Sequence, residues 1–534
     1  MIPNSIFDLV NVDTERLTLI VKIEQEKTKQ ITEQEKTEQE KTRLAIEQEK
    51  TKQITEQEKT KRLQITHQTS KIIPSTSYVE YYNHIKSTII EVETPSWITP
   101  VHKICQNVYV NLPDEDTIQK QFMTMLRKLC KGGHTSLKAI DTHNNTVIGF
   151  NKPDITLIPR SFIIEDLSNI CSNDGLCYLS QCFIEIKTKI ENNNGAIGQV
   201  FSYLHKAHER DKYRNTFIGA VSDYRTIRFV RSTYSSATGM KNEITKSMPL
   251  FDPDVNDDNY TSVGINYLYS LLRSGVGNNS DSVVAPDEQV ILKRLLGKGC
   301  TSFVYEVTTN ECQIGAMKLS NSQRHCDLIH HEEQVLEKIQ DLSNTPQILD
   351  YEERKCIFFP IYKPLENYTL STSNIISLID LLKKIHSRNI YHRDIRPENL
   401  LLDDSNKVIL TDWGFSLIDQ SSNYMFAGTA SFCAKQYAQS WLDDDWGTIY
   451  HPKYDCESLL KCLYYLLNFE IRLNLIEIAH EDQKMRLKLA IDIWENVNDL
   501  NFIECLKKIR SENENMYHAL EEYVRKTSNV MMDE

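Results

Sequence analysis

Tyr391-His392-Arg393-Asp394-Ile395-Arg396-Pro397-Glu398-Asn399 is the stretch on which the reading of this 534-residue sequence turns. It places a carboxylate and an amide five residues apart, in the form HRDxxxxN. Asp394 is suited to accept a hydroxyl proton, and Asn399 to hold a magnesium ion through oxygen. Thirteen residues after Asn399 comes Thr411-Asp412-Trp413-Gly414, whose Asp412 offers a second metal ligand. Upstream, Leu296-Gly297-Lys298-Gly299-Cys300-Thr301-Ser302-Phe303-Val304 reads GxGxxSxV, and its glycines let backbone come close to phosphate oxygens. Nineteen residues after Gly299, Ala316-Met317-Lys318 supplies a strand lysine able to reach those phosphates. The helical stretch HEEQVLEKI carries Glu332, placed to pair with Lys318, with Glu333 the lesser choice.

A phosphate cover, a cation on the phosphates, metal-binding carboxylates and a residue to orient a hydroxyl are what phosphoryl transfer needs. In this order and spacing the motifs resemble the eukaryotic protein kinase superfamily over roughly 290–525. The resemblance implies a bilobal fold, ATP and Mg2+ as cofactors, and a protein substrate. It makes Asp394, Lys318, Arg396 and Glu332 catalytic, assigns ATP to Gly297, Gly299, Ser302, Val304, Ala316 and Lys318, and gives the metal to Asn399 and Asp412. Departures are informative. Ser302 replaces a third glycine, Arg396 stands where serine/threonine kinases carry lysine, and Trp413 replaces phenylalanine. Ala434-Lys435-Gln436 occupies the APE position, so the glutamate that pairs with a late arginine is missing. Tyr454-Asp455-Cys456-Glu457-Ser458 has the DxES pattern of casein-kinase-1-like and fungal-type kinases. None of these changes removes a phosphate or metal ligand, so an active enzyme is expected, with Pro397 and the HRDxRPEN form favouring Ser/Thr hydroxyls. Arg393 suggests control by an activation-loop phosphate, with Ser421, Ser422, Tyr424, Thr429 and Ser431 as acceptors.

In the middle of the chain, Lys152-Pro153-Asp154 opens the apolar stretch Ile155–Ile158, and Phe183-Ile184-Glu185-Ile186-Lys187 alternates like a strand. Residues two apart share a face, so Glu185 and Lys187 point one way while Ile184 and Ile186 face a core. Asp154 and Glu185 suit a hard cation such as Mg2+ or Mn2+, and Lys187 suits orienting a water. Gln199 follows on a helix, in GQVFSYL. Together these resemble the PD-(D/E)XK nuclease superfamily over roughly 78–245, which implies a restriction-endonuclease-like α/β core, a nuclease site at Asp154, Glu185, Lys187 and Gln199, and DNA as a partner. Glu115 is a further acidic candidate, and Arg225, Arg228 and Arg231 are candidate phosphate contacts. A nuclease-like domain joined to a kinase domain resembles the organisation of crinkler-type proteins, though the LxLFLAK-type header of oomycete members is absent.

Ahead of both stretches, EQEKT recurs five times within residues 24–62, among ten acids and ten bases. Good helix formers with Glu-to-Lys pairs predict a long solvated helix with a weak coiled-coil seam and some capacity for self-association. The chain is thus read as multidomain α+β: a helical repeat at 1–74, a nuclease-like domain at 75–250, a linker at 251–289 and a kinase domain at 290–527. The net charge of −13 is uneven, about +3 over 75–250 and about −12 over 285–534, so a nucleic-acid contact suits only the middle. No run of 18 apolar residues and no signal peptide are seen, so no membrane contact is expected. The 13 scattered cysteines read as reduced thiols in cytoplasm or nucleus, with a secreted host-targeted effector as the less favoured setting. Three functions follow: an ATP-dependent Ser/Thr kinase with an accessory nuclease domain, a nuclease regulated by its kinase domain, or a non-catalytic scaffold.

Overall fold

The computed structural model describes residues 75–93 and 114–531, except 132–134, 173, 192, 236–238, 252–261, 275–282, 310–312, 366–369, 420–426, 446–447, 479–481 and 512–514. The EQEKT repeat, with its expected helix and self-association, lies outside the described residues.

The first globular region runs α1 (Ser75–Ile85), β1 (Ile89–Val92), α2 (Glu115–Lys131), β2 (Leu137–Asp141), β3 (Ile155–Pro159) and β4 (Phe162–Ile164). Two short helices, Leu167–Cys171 and Gly175–Leu179, precede β5 (Cys182–Ile186), α3 (Asn194–Arg210), β6 (Thr216–Ser222), β7 (Thr226–Ser235), β8 (Gly239–Thr245), β9 (Met248–Pro249) and α4 (Val263–Ser274). The sheet order is β1-β8-β7-β6-β5-β3-β2, with β9 on β7. β2, β3 and β5 form an antiparallel run, and the α3 crossover makes β6 parallel to β5.

Every residue of β3 and β5 is buried, which requires both faces of the sheet to be covered. On one face, Ile118, Phe122 and Leu126 of α2 pack with Leu268, Leu271 and Leu272 of α4 against Ile155, Leu157, Ile184 and Ile186. On the other, Val200, Phe201 and Leu204 of α3 meet Phe183, Phe217 and Val230. α1 leans on α3 at Gly198, where a Cβ would stand 2.2 Å from the Tyr78 carbonyl oxygen. One sequence expectation changes here. The span 251–289 read as linker contains α4, built on the amphipathic piece near 265–273, whose apolar stripe closes the core between polar flanks. Glu185 sits inside this sheet, because β5 lies between β3 and β6 with α3 above it.

The second region opens with β10 (Val290–Lys298), β11 (Ser302–Thr308), β12 (Ile314–Ser320), α5 (Cys326–Ile339), β13 (Asp350–Glu352) and β14 (Cys356–Phe359). Their sheet has the order β13-β14-β12-β11-β10-β4, so a strand of the first region completes it. A mainly helical lobe follows, with α6 (Thr372–Ser387), α7 (Pro452–Leu467), α8 (Leu500–Arg510) and α9 (Met516–Met531). Its core packs Ile379, Leu382 and Ile385 of α6 against Leu459, Leu460 and Leu463 of α7 and Phe502 of α8. The loops bearing HRDxxxxN and Asp412 lie between the two lobes.

Candidate active site

The loop that carries Asp394 is held from below by one buried carboxylate. Ile390-Tyr391 pairs with Leu417-Ile418, and the next two backbone N–H groups, of His392 and Arg393, donate to Asp455 of α7 at 2.8 and 2.9 Å. Asp455 also accepts from the Tyr450 hydroxyl at 2.9 Å and meets His386 Nε2 at 3.1 Å. Burial alone would raise this carboxyl, but its partners, His386 first, hold it below the ordinary range.

Asp394 is buried, and each of its side-chain oxygens has a neighbour. Thr429 Oγ1 donates to Oδ1 at 2.7 Å, Asn399 Nδ2 donates to Oδ2 at 3.2 Å and to the backbone carbonyl at 2.8 Å, and Arg396 Nε lies 3.4 Å from Oδ2. With its nitrogen so engaged, Asn399 has its amide oxygen left as a ligand for a hard cation. Across the cleft, Lys318 Nζ lies 2.5 Å from Glu332 of α5 and 2.7 Å from Asp412. Burial alone would lower this ammonium, and the charges of Asp412 and Glu332 raise it instead. Asp412 is held low by Lys318 despite burial, while burial keeps Glu332 high. Glu332 also accepts the Trp413 N–H at 3.2 Å, whereas Glu333 turns to His330. Trp413 is fully buried and donates its indole N–H to Leu410 at 2.8 Å, so the larger ring is accommodated.

In the glycine-rich turn, Gly299 N–H bonds the Ser302 carbonyl at 2.8 Å. Val304 registers with Lys318 across β11 and β12, and Ala316 with Phe359 across β12 and β14. The structure therefore gathers Lys318, Glu332, Asp394, Arg396, Asn399 and Asp412, with Gly297, Ser302, Val304 and Ala316 on the adjoining strands and Gly299 in the turn between β10 and β11.

Arg393, expected to await a phosphate, donates to the Tyr437 hydroxyl at 2.7 Å and to the Phe415 carbonyl at 3.4 Å. Tyr437 also accepts the Ala427 N–H at 3.3 Å, so it ties the catalytic loop to the segment beyond it. Of the suggested acceptors, Ser421, Ser422 and Tyr424 lie outside the described residues, and Thr429 is engaged with Asp394. The late arginine is not left without its carboxylate. Arg510 of α8 donates to Glu457 of α7 at 3.0 and 2.8 Å, and Glu457 accepts the Lys435 N–H at 2.9 Å. The charge absent from Ala434-Lys435-Gln436 is supplied from the DxES helix.

A second cluster lies in the first region. Glu185 is 2% exposed and accepts from Lys187 Nζ at 2.7 Å and from the Tyr203 hydroxyl at 2.9 Å. Gln199 Nε2 donates to that hydroxyl at 2.5 Å, so it reaches Glu185 through Tyr203. Asp154 accepts the Ile186 N–H at 2.7 Å, and Glu115 lies 3.6 Å from Lys187. Burial, and then the Asp154 charge, raises the Glu185 carboxyl to about 8, and burial raises Asp154. Two desolvated carboxylates beside one another are a donor set that a hard cation would relieve. Among the described residues no group of three or more His, Cys, Asp or Glu side chains is placed to hold a metal ion. Arg228 and Arg231 pair with Glu91 and Glu243.

A sheet lobe over a helical lobe, with the Lys318–Glu332 pair, Asp394, Asn399 and Asp412 between them, is the arrangement of a protein kinase domain. The family model described as protein kinase domain matches residues 290–501, and a domain of unknown function (DUF6826) matches 115–214. Over 191 residues the chain is 26% identical to serine/threonine-protein kinase AtPK1/AtPK6 of Arabidopsis thaliana, covering 31% of this chain and 41% of that protein. It is 25% identical over 192 residues to the phosphorylase b kinase gamma catalytic chain, liver/testis isoform, of Mus musculus, covering 31% and 46%. A probable serine/threonine-protein kinase of Dictyostelium discoideum is 39% identical over 84 residues, covering 15% and 18%. The chain spans less than half the length of these curated relatives.

Proposed function

We propose that the protein transfers the γ-phosphate of ATP to serine or threonine hydroxyls of a protein substrate. The observation that carries this is Lys318 bridging Glu332 and Asp412 opposite Asp394, the arrangement that productive phosphoryl transfer requires. Asp394 accepts the substrate hydroxyl proton, with Thr429 and Asn399 fixing its orientation. Lys318 holds nucleotide phosphates, and Arg396 adds positive charge beside Asp394. Asn399 and Asp412 are the oxygen ligands that fit Mg2+, which neutralises phosphate charge when bound. Similarity to serine/threonine-protein kinases of Arabidopsis thaliana and Dictyostelium discoideum supports the Ser/Thr preference. All described cysteines are free thiols, which suits a reducing cytoplasmic or nuclear setting. No helix among the described residues is long and apolar enough to cross a membrane. The test is autophosphorylation with labelled ATP. Wild type should incorporate label and Asp394→Ala should not; undiminished label in the variant would sink the assignment.

A second, accessory reading is that the first region cleaves DNA in the manner of PD-(D/E)XK nucleases. Its support is the order α2-β2-β3-β5-α3-β6 with Asp154, Glu185 and Lys187 gathered at its centre. Asp154 and Glu185 would hold Mg2+ or Mn2+, which supplies a Lewis acid at the phosphodiester when bound, and Lys187 would orient the attacking water. Plasmid nicking should appear with either metal and vanish in Asp154→Ala or Glu185→Ala, with autophosphorylation intact. A purified wild type that nicks no nucleic acid would refute it.

A further inference from the structure

The glycine-rich turn is a part of a kinase domain that ordinarily lacks packing of its own. Glycine carries no side chain to anchor it, and the turn must be ordered when nucleotide binds, at a cost in affinity. Here it has an anchor from outside the kinase domain.

β4 of the first region lies parallel to β10, with Phe162, Ile163 and Ile164 in register with Val290, Ile291 and Leu292. β10 then leads directly into Gly297-Lys298-Gly299. At the turn, Lys298 registers with Phe303 across β10 and β11, and both meet one residue, Tyr178 of the short helix Gly175–Leu179. Lys298 Nζ donates to the Tyr178 hydroxyl at 2.7 Å and stands 5.2 Å from the ring centre. The Phe303 ring lies 4.8 Å from the Tyr178 ring, tilted 38°. Two residues further along β11, the buried Tyr305 hydroxyl donates to the Gly175 carbonyl at 2.8 Å. An ion pair between Lys293 and Glu165 adds to the same seam. One continuous apolar core runs through Phe162, Leu176 and Leu179 into Leu292, Val307 and Leu319.

We propose that Tyr178 is a positioning residue for nucleotide, holding the glycine-rich turn in its ATP-binding form through Lys298 and Phe303. The segment 162–179 is then a working part of the kinase lobe. By linkage, whatever shifts that segment changes ATP affinity, and ATP binding shifts the segment by the same factor. This rests on the kinase reading above.

The test uses the full chain. Tyr178→Phe removes the hydroxyl and keeps the ring, and Lys298→Met removes the charge and keeps the stem. For each, KM for ATP and kcat are measured by autophosphorylation, and binding of the β,γ-imido analogue of ATP with Mg2+ is measured by calorimetry. Each single variant should weaken nucleotide binding and raise KM roughly tenfold, as expected for loss of a hydrogen bond to a charged group, with kcat within about twofold. The double variant should be no worse than either single one, because both changes break the same contact. An unchanged KM in the single variants overturns the inference, as does a fall in kcat alone or full additivity in the double variant. If Tyr178→Phe fails to fold, Lys298→Met decides the question. Wild type that neither binds the analogue nor transfers phosphate would defeat the kinase reading instead, a result distinguishable from the others.

Discussion

At the scale of single residues, the groups proposed to touch phosphate and metal were readable because they fall in short motifs whose spacing fixes their geometry. Lys318, Glu332, Asp394, Asn399 and Asp412 are of this kind. The residues that hold them were not readable, since their partners are distant in sequence. Thr429 appears in the sequence only as one hydroxyl among several, yet it bonds Asp394 across 35 positions. Gly428 explains how it gets there. Its φ is +102°, and a Cβ would stand 2.3 Å from the Arg393 carbonyl oxygen, so no other residue lets the segment lie this close to the catalytic loop. Gly428→Ala should push Thr429 off Asp394 at a strain of about 1–3 kcal/mol. We expect kcat to fall at least tenfold with KM for ATP within about twofold; a kcat near wild type in steady-state assays would show that this contact is dispensable.

At the scale of elements, helices are legible wherever an apolar stripe repeats, as over α2 (Glu115–Lys131) and α3 (Asn194–Arg210). α4 shows in the sequence only as a short amphipathic piece near 265–273, and the Asp-, Asn- and Gly-rich stretches around it made the whole span read as linker. The junction of α7 and α8 was hidden for a different reason: its charge pair is assembled from the unexpected side. Glu457 is buried among Arg510, Lys461 and the Lys435 N–H. Burial alone would raise its carboxyl, and Lys461 and Arg510 lower it from 4.5 to about 2. A carboxyl depressed on folding stabilises the fold above its ordinary value and ceases to do so as pH falls through its folded one. Glu457→Gln should therefore cost about 3 kcal/mol near neutral pH by leaving buried cations unpaired. The gap in urea midpoint between variant and wild type should narrow as pH drops from 4.5 towards 2. A gap that stays constant across that window would show that the ion pair is not its source.

At the scale of the whole molecule, the sequence suggested beads on a string and the structure shows a shared wall. The motifs mark where chemistry occurs, and they carry no signal for β4, three residues whose partner strand begins more than a hundred positions later. A chain beginning at residue 283 would lose β4 and the Gly175–Leu179 helix, uncovering Val290, Leu292, Phe303 and Tyr305. At roughly 1.5–3 kcal/mol for each large apolar side chain returned to water, such a fragment should melt at least about 10 °C below the full chain. Differential scanning calorimetry of both would check this, and equal melting temperatures would mean that the two regions are energetically separate. A related consequence concerns solubility. With β4 gone, β10 would present a row of unpaired N–H and C=O groups on an apolar strand, which is a template for another chain to add to. β4 fills that template from within the same molecule, so the accessory region also guards the catalytic half against strand-by-strand aggregation.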